Sequence, residues 1–342
     1  MIRDLAYTNK HQDIFRTIIF RADGNPKIGM GHFIRTLALA EMTNDHFHCI
    51  FATRTPTEYQ INEIEKVCHC RIDLPEDASH FDLFLNQLKG DEIVVLDNYY
   101  FDTVYQRKIK AKGCKLVCID DMHDKHYVAD VVINHAEGIK ASAFSVEKNT
   151  QLLLGFKYAL IRKPFREEQN SEGPKDYSCL LIMGGADPKG ITKQIIKYLG
   201  KINFDKPVAV VSGNANFDRG ISENSGKFVF FQNLDAAGIA NLMKSSYVGI
   251  FPASTVAIEA CAMKIPFICG FFVDNQTDIY RGIKVNEMAI CLDDFTEITE
   301  SQITDSITEI SISHVRNAIL EKQTMYMDNR SDKRFLKIFS EL

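Results

Sequence analysis

A histidine directly behind the second of two alternate glycines is the most chemically suggestive feature of this sequence. The run Ile18-Ile19-Phe20 leads through Arg21, Asp23 and Gly24 to Gly29-Met30-Gly31-His32, and the helical pattern FIRTLALAEM follows. Glycines 29 and 31 let the backbone approach a ligand closely, and a helix start offers free N–H groups to an anion. At the first helical position the macrodipole disfavours an imidazolium, which suits His32 to act as a neutral general base. The plainer alternative is a solvent-facing loop histidine.

Three further loops sit in comparable places. The strand-like CLLIM ends in Gly184-Gly185-Ala186-Asp187-Pro188 before ITKQIIKYL, where two glycines suit either a diphosphate cradle or a tight structural turn. Asp187 would repel phosphate there unless it points elsewhere. After VGIF come Pro252-Ala253-Ser254-Thr255 and the helix VAIEACAMK, whose single acid, Glu259, stands at the wrong spacing for a capping box. A lone inward carboxylate needs a hydrogen-bonding partner, such as a ribose diol; a surface glutamate beside a lysine is the alternative. Asp97-Asn98-Tyr99, at the end of IVVL, places polar groups at a strand end, or else reads as a helix N-cap followed by a packing tyrosine. In IDDMHDKH, the residues Asp120, Asp121, His123 and His126 are metal-ligand types, but their spacing does not force them together, and no metal is expected.

The elements that must position these loops alternate. Short β-branched and aromatic runs are separated by helical patterns from end to end, which argues for βα units and parallel sheets. Strands are predicted at 17–20, 49–52, 93–96, 116–119 and 131–133, making a five-stranded first half. A second series follows at 179–183, 208–211, 228–230, 248–251, 267–269 and 289–292. Between the halves, EEQNSEGPKD reads as a linker. The expected domains are residues 1–166 and 176–322, with 323–342 as a C-terminal helix able to pack back on the first. Two doubly wound α/β domains would meet across a cleft at their strand ends, where such sheets bind ligands.

With Lys plus Arg at 40 against Asp plus Glu at 45, the net charge is −5, without the basic excess of a nucleic-acid binder. The nine cysteines include no CxxC pair and read as buried reduced thiols. No stretch approaches the roughly 18 apolar residues of a membrane span, so a cytoplasmic location without membrane insertion is expected. The sequence does not report the oligomeric state, and a monomer is compatible with it.

Taken in order, RADGNPKIGMGHFIRTLALAE, VVLDNYY, LVCIDDMHD, GFKYALIRKPF, LLIMGGADPKG, PASTVAIEAC, DNQ and MDNRSDKR resemble the UDP-sugar hydrolases of pseudaminic acid biosynthesis, over roughly residues 17–337. These cleave UDP-2,4-diacetamido-2,4,6-trideoxy-β-L-altropyranose. The family is similar to the GT-B glycosyltransferases, so the resemblance implies an α/β, GT-B-like fold of two Rossmann-type domains and an enzyme without metal or other cofactor. It further implies that His32 activates water, that Asp23, Gly29, Gly31 and Arg35 shape the sugar site, and that Asp97 and Tyr99 lie against the sugar. The second domain would hold the nucleotide through Gly184, Gly185, Ser254, Thr255 and Glu259, with Asn275 and Gln276 on the diphosphate or sugar. Where the family resembles D-G-x-G-x-x-R near its end, this chain has Asp328-Asn329-Arg330-Ser331, and both glycines are replaced. A glycosyltransferase and a non-catalytic nucleotide-sugar binder are the rival readings.

Overall fold

The structure is a computed structural model that describes residues 2–4, 16–25, 29–167, 173–184, 187, 189–212, 226–232 and 234–342. The chain forms two compact units, Met1–Leu160 with Arg330–Leu342, and Ile161–Asn329. No helix among the described residues is long and apolar enough to cross a membrane.

In chain order, the first unit holds β1 (Ile2–Asp4), β2 (Thr17–Ala22), α1 (Gly31–Thr43), β3 (His48–Arg54), α2 (Glu58–Val67), β4 (Cys70–Leu74), α3 (Ser79–Leu85) and β5 (Ile93–Asp97). Then come α4 (Thr103–Ala111), β6 (Lys115–Ile119), the short pair β7 (His126–Tyr127) and β9 (Ser145–Val146), β8 (Val131–Asn134) and β10 (Gln151–Leu154). The main sheet runs β1-β4-β3-β2-β5-β6-β8-β10, with the edge strand β1 antiparallel to β4 and the others parallel. Helices cover both faces of such a sheet, and the buried runs of β2, β5 and β8 are accordingly continuous rather than alternating. The strand order reverses between β2 and β5. That reversal is the switch point at which doubly wound sheets open a crevice beyond their C-terminal ends.

The sheet therefore has eight strands, where the sequence pattern predicts five. In β4, Arg71 and Asp73 interrupt the apolar reading. They stand two residues apart on one face and pair with each other at 2.7 Å, while Cys70, Ile72 and Leu74 take the other face, so the strand alternates and lacks the continuous apolar run of its neighbours. The strand β10 is a short edge element, and both its Gln151 and Leu154 are incompletely buried.

The second unit contains α5 (Lys163–Glu167), β11 (Cys179–Ile182), α6 (Ile191–Leu199), β12 (Val208–Val211), β13 (Phe228–Phe231), α7 (Ala236–Lys244), β14 (Gly249–Pro252), α8 (Thr255–Ala262), β15 (Phe267–Phe271), α9 (Thr277–Val285), β16 (Ile290–Asp294), α10 (Glu300–Ser311) and α11 (Ser313–Tyr326). Its parallel sheet has the order β13-β12-β11-β14-β15-β16, with the six strands anticipated and a second switch point between β11 and β14. The unit begins at Ile161 rather than after Arg166 because Arg162 forms a bidentate pair with Glu259, at 2.7 and 2.9 Å, which ties this segment to α8.

After α11 the chain turns at Asn329, whose φ of +54° is left-handed, a conformation asparagine tolerates better than most non-glycine residues. Its amide donates to the Ala262 carbonyl at 3.0 Å. The last helix, α12 (Ser331–Glu341), belongs to the first unit and packs beside α1, with Phe335 against Tyr158 and Phe339 against Phe47, both phenylalanines fully buried. Phe335→Ala should therefore lower the unfolding free energy by about 3–5 kcal/mol in a urea titration. Lys337→Ala, on the exposed side of the same helix, should stay within about 0.5 kcal/mol of the parent.

Candidate active site

The first switch point brings together the ends of β2 and β5 and the start of α1. Asp97, the last residue of β5, is fully buried. Its Oδ1 accepts from Arg35 Nη2 at 2.6 Å and faces His32 Nδ1 at 2.7 Å; its Oδ2 accepts from Arg35 Nε at 2.7 Å and Thr36 Oγ1 at 2.8 Å. His32, Arg35 and Thr36 stand at i, i+3 and i+4 of α1, so one helical face delivers all of them to a single carboxylate. Burial alone would raise the Asp97 carboxyl. The Arg35 guanidinium, followed by His32, outweighs it and holds the group well below the usual carboxylate range.

His32 Nδ1 has Asp97 Oδ1 at 2.7 Å and Arg35 Nη2 at 3.0 Å; the ionised carboxylate is the nearer and two acceptors at 2.7 Å would repel, so the proton is assigned to Nδ1, with Arg35 Nη2 donating to the same carboxylate oxygen instead. The lone pair of a neutral imidazole is then on Nε2. Tyr99 closes the other side, its ring edge-on to His32 with centroids 4.5 Å apart and its hydroxyl donating to Asp121 Oδ2 at 3.3 Å. Arg35 Nη1 reaches the same Asp121 oxygen at 2.8 Å. His32, Asn98, Tyr99, Asp120, Asp121 and Lys125 line a small hollow here. The histidine follows the first helical residue and is 4% exposed, unlike the solvent-facing loop histidine that was the sequence alternative.

Three residues expected to meet substrate are instead occupied by protein. Asp97 and Arg35 are buried in their mutual pair. Asp23 accepts from Arg21 Nη1 at 2.5 Å, from Arg54 through its backbone N–H at 2.9 Å and its Nε at 2.5 Å, from Thr53 Oγ1 at 3.2 Å, and from the Tyr100 hydroxyl. Burial would raise this carboxyl too, but Arg21 foremost, with Tyr100 and Arg54, holds it well below its ordinary value. His80, beside Arg21 at 3.2 Å, is pushed down to about 4 by burial and the two guanidiniums. These residues lock the end of β2 to the end of β3, and with it the origin of the loop that ends at His32. Gly29 has a φ of +79°, and a Cβ on it or on Gly31 would meet nothing within 4 Å. Positive φ explains the first glycine; open space over both leaves the backbone accessible.

In the second unit, Asp187 Oδ1 and Oδ2 accept the backbone N–H groups of Ile191 and Thr192, at 2.9 and 2.8 Å. The start of α6 thus already holds a carboxylate, and the diphosphate cradle suggested for the Gly184 turn is filled from within the chain. Gly184 itself has a φ of +91°, while Gly185 lies outside the described residues. By contrast, Ser254 occupies the N-cap position of α8 without a side-chain capping bond, and Thr255 opens that helix. Glu259 is 1% exposed, which removes the surface-glutamate alternative. Its partner is Arg162, a residue the sequence reading missed, in place of the ribose diol. Asn275 lies in a short 3₁₀ turn, and the Gln276 side-chain oxygen accepts the Phe272 N–H at 3.0 Å.

The acidic and histidine run after β6 disperses. Asp120 caps the backbone N–H groups of Met122 and His123, Asp121 pairs with Arg35, and His126 faces Ser145 and Glu147. Among the described residues, no cluster of three or more ligand-type side chains could hold a metal ion.

No protein-family model matches the chain. The UDP-2,4-diacetamido-2,4,6-trideoxy-β-L-altropyranose hydrolase of Campylobacter jejuni is 29% identical over 268 residues, covering 76% of this chain and 93% of its own. The uncharacterized protein MJ1062 of Methanocaldococcus jannaschii is 25% identical over 281 residues, covering 75% of this chain and 56% of its own. Among solved structures, MurG of Acinetobacter baumannii superposes with a TM-score of 0.64 at 12% identity, over 96% of this chain and all of that one. Anabaena HepE in complex with UDP and glucose gives 0.63 at 11%, over 96% and 100%. The fold is thus that of the GT-B glycosyltransferases, with two Rossmann-type α/β units.

Replacing Asp97 by Asn should lower turnover of a His32-dependent reaction by about 10²- to 10⁴-fold, because the amide no longer specifies the Nδ1–H tautomer. The folded carboxyl titrates below its unfolded value of about 3.9, so its stabilising contribution is complete above that value and lost as the pH falls through the lower folded one. The difference in melting temperature between parent and variant should accordingly be constant well above about pH 4 and shrink progressively as the pH falls below it.

Proposed function

We propose that this chain hydrolyses UDP-2,4-diacetamido-2,4,6-trideoxy-β-L-altropyranose, or a close UDP-deoxyamino sugar, as a step of pseudaminic acid biosynthesis. The observation that carries the reading is the His32–Asp97 pair at the first switch point, in a chain 29% identical to a hydrolase of that sugar nucleotide. Water gives a proton to His32 Nε2 as its oxygen attacks the anomeric carbon. The carbon–oxygen bond to the diphosphate breaks, and UDP carries away the bonding electrons. A single displacement of this kind inverts the anomeric centre. UDP is already a good leaving group, so the step calls for no Lewis acid.

The two units divide the work. Asp97 fixes the His32 tautomer, and it also opposes the helix N-terminus, which disfavours the imidazolium that forms. On the nucleotide side, the uncapped start of α8 at Ser254 and Thr255 supplies donors to the diphosphate, while the Arg162–Glu259 pair holds that helix in place. The reducing cytoplasm suits the nine free thiols.

A glycosyltransferase reading is favoured by the fold of MurG and differs only in the nucleophile. Incubation with the UDP-sugar and no acceptor discriminates between them: a hydrolase releases UDP and free sugar at a catalytic rate, and a transferase does not. In H₂¹⁸O the label should enter the sugar; label in the UDP phosphate would sink anomeric attack. His32→Ala should reduce turnover by about 10²- to 10⁴-fold and leave UDP affinity within about threefold in calorimetry.

A further inference from the structure

Two polar atoms beside His32 are not used by the mechanism. Asn98 immediately follows β5, and Asp121 follows β6, the next strand in the sheet, so the hydrogen-bonded pair β5–β6 carries both side chains to the same hollow. The Asn98 side chain is nine-tenths buried. Its Oδ1 accepts the Tyr99 N–H at 2.8 Å, which fixes the orientation of the amide, and its Nδ2 is buried with no hydrogen-bond partner. Asp121 presents the complementary case. Its Oδ2 takes both Arg35 Nη1 and the Tyr99 hydroxyl, and among the described residues Oδ1 has no hydrogen bond. Buried amide donors without partners are rare in folded proteins because they forfeit solvation without compensation, and each one calls for a reason.

Resting on the hydrolase reading above, we propose that these two atoms read an N-acyl group of the substrate. A secondary amide presents one N–H and one carbonyl, and the hollow offers one acceptor, Asp121 Oδ1, and one donor, Asn98 Nδ2. A hydroxyl concentrates its donor and acceptor on one oxygen, whereas the amide carries them on separate atoms, as the protein's two partners stand at the ends of separate strands. Asn98 and Asp121 are thus specificity-determining residues that favour acetamido over hydroxyl sugars. Because Tyr99 is bonded to both, through its N–H to Asn98 and through its hydroxyl to Asp121, the tyrosine that covers His32 also sets the spacing of the pair.

The test compares kcat/KM on the UDP-diacetamido sugar with that on two analogues, each having one acetamido group replaced by hydroxyl. The parent protein should prefer the diacetamido substrate to one of the analogues by about 10- to 100-fold. Asn98→Leu removes the donor, and Asn98→Asp removes it while keeping an acceptor for the Tyr99 N–H. Asp121→Asn keeps an acceptor for Arg35 and turns a donor toward the substrate. Each variant should bring that preference to within about threefold, chiefly through loss on the diacetamido substrate. Equal losses on all three substrates, as from a misplaced loop, would overturn the proposal and leave the hydrolase reading standing, as would an unchanged preference. If the parent turns over none of them, both readings fail.

Discussion

The first unit is organised around the carboxylate of Asp97. Four donors from a single turn of α1 converge on it, and they outweigh burial and hold the carboxyl well below the usual carboxylate range. The geometry leaves α1 little freedom to rotate or slide on the sheet, because any shift breaks several charge-assisted bonds at once. The same bonds place His32, and Arg35 passes the constraint on to Asp121 and so to Tyr99. The placement of His32 and the register of the helix on the sheet are thus one problem with one solution.

A second ionic centre, around Asp23, plays a different part. With Arg21 and Arg54 on one carboxylate, it adds to burial in pushing His80 down and ties the ends of two adjacent strands together. The two central carboxylates, Asp23 and Asp97, are themselves buried. They are the rigid backing for a site whose reactive atoms are few.

Much of this was legible in the sequence, and what was missed has a common cause. Strands such as Thr17–Ala22 and Ile93–Asp97 are continuous apolar runs, and strand-end polar residues stand out against them, so His32, Asp97 and Tyr99 could be singled out. Their roles could not be assigned. A carboxylate at a strand end looks the same in sequence whether it faces substrate or a helix sixty residues away. The spacing of His32, Arg35 and Thr36 on one helical face was the available clue that Asp97 is held by protein. Arg162 gave no local clue to its pairing with Glu259, 97 residues on, because only the tertiary fold brings them together. The strand Cys70–Leu74 alternates Cys70, Ile72 and Leu74 with Arg71 and Asp73, and was missed because it lacks the continuous apolar run by which its neighbours stand out.

The cap on α6 has a consequence for selectivity. Both helices at the second switch point carry a positive end, but Asp187 behaves as a counter-ion covalently tethered to one of them, present at an effective concentration no free anion can match. A free anion at that end would have to displace Asp187 from the Ile191 and Thr192 N–H groups. Of the two helix starts at this switch point, that of α8 is then the one without a side-chain acceptor among the described residues, which gives an elongated anion one polarity along which to lie. A diphosphate with a different group at each end is thereby given a direction as well as a place.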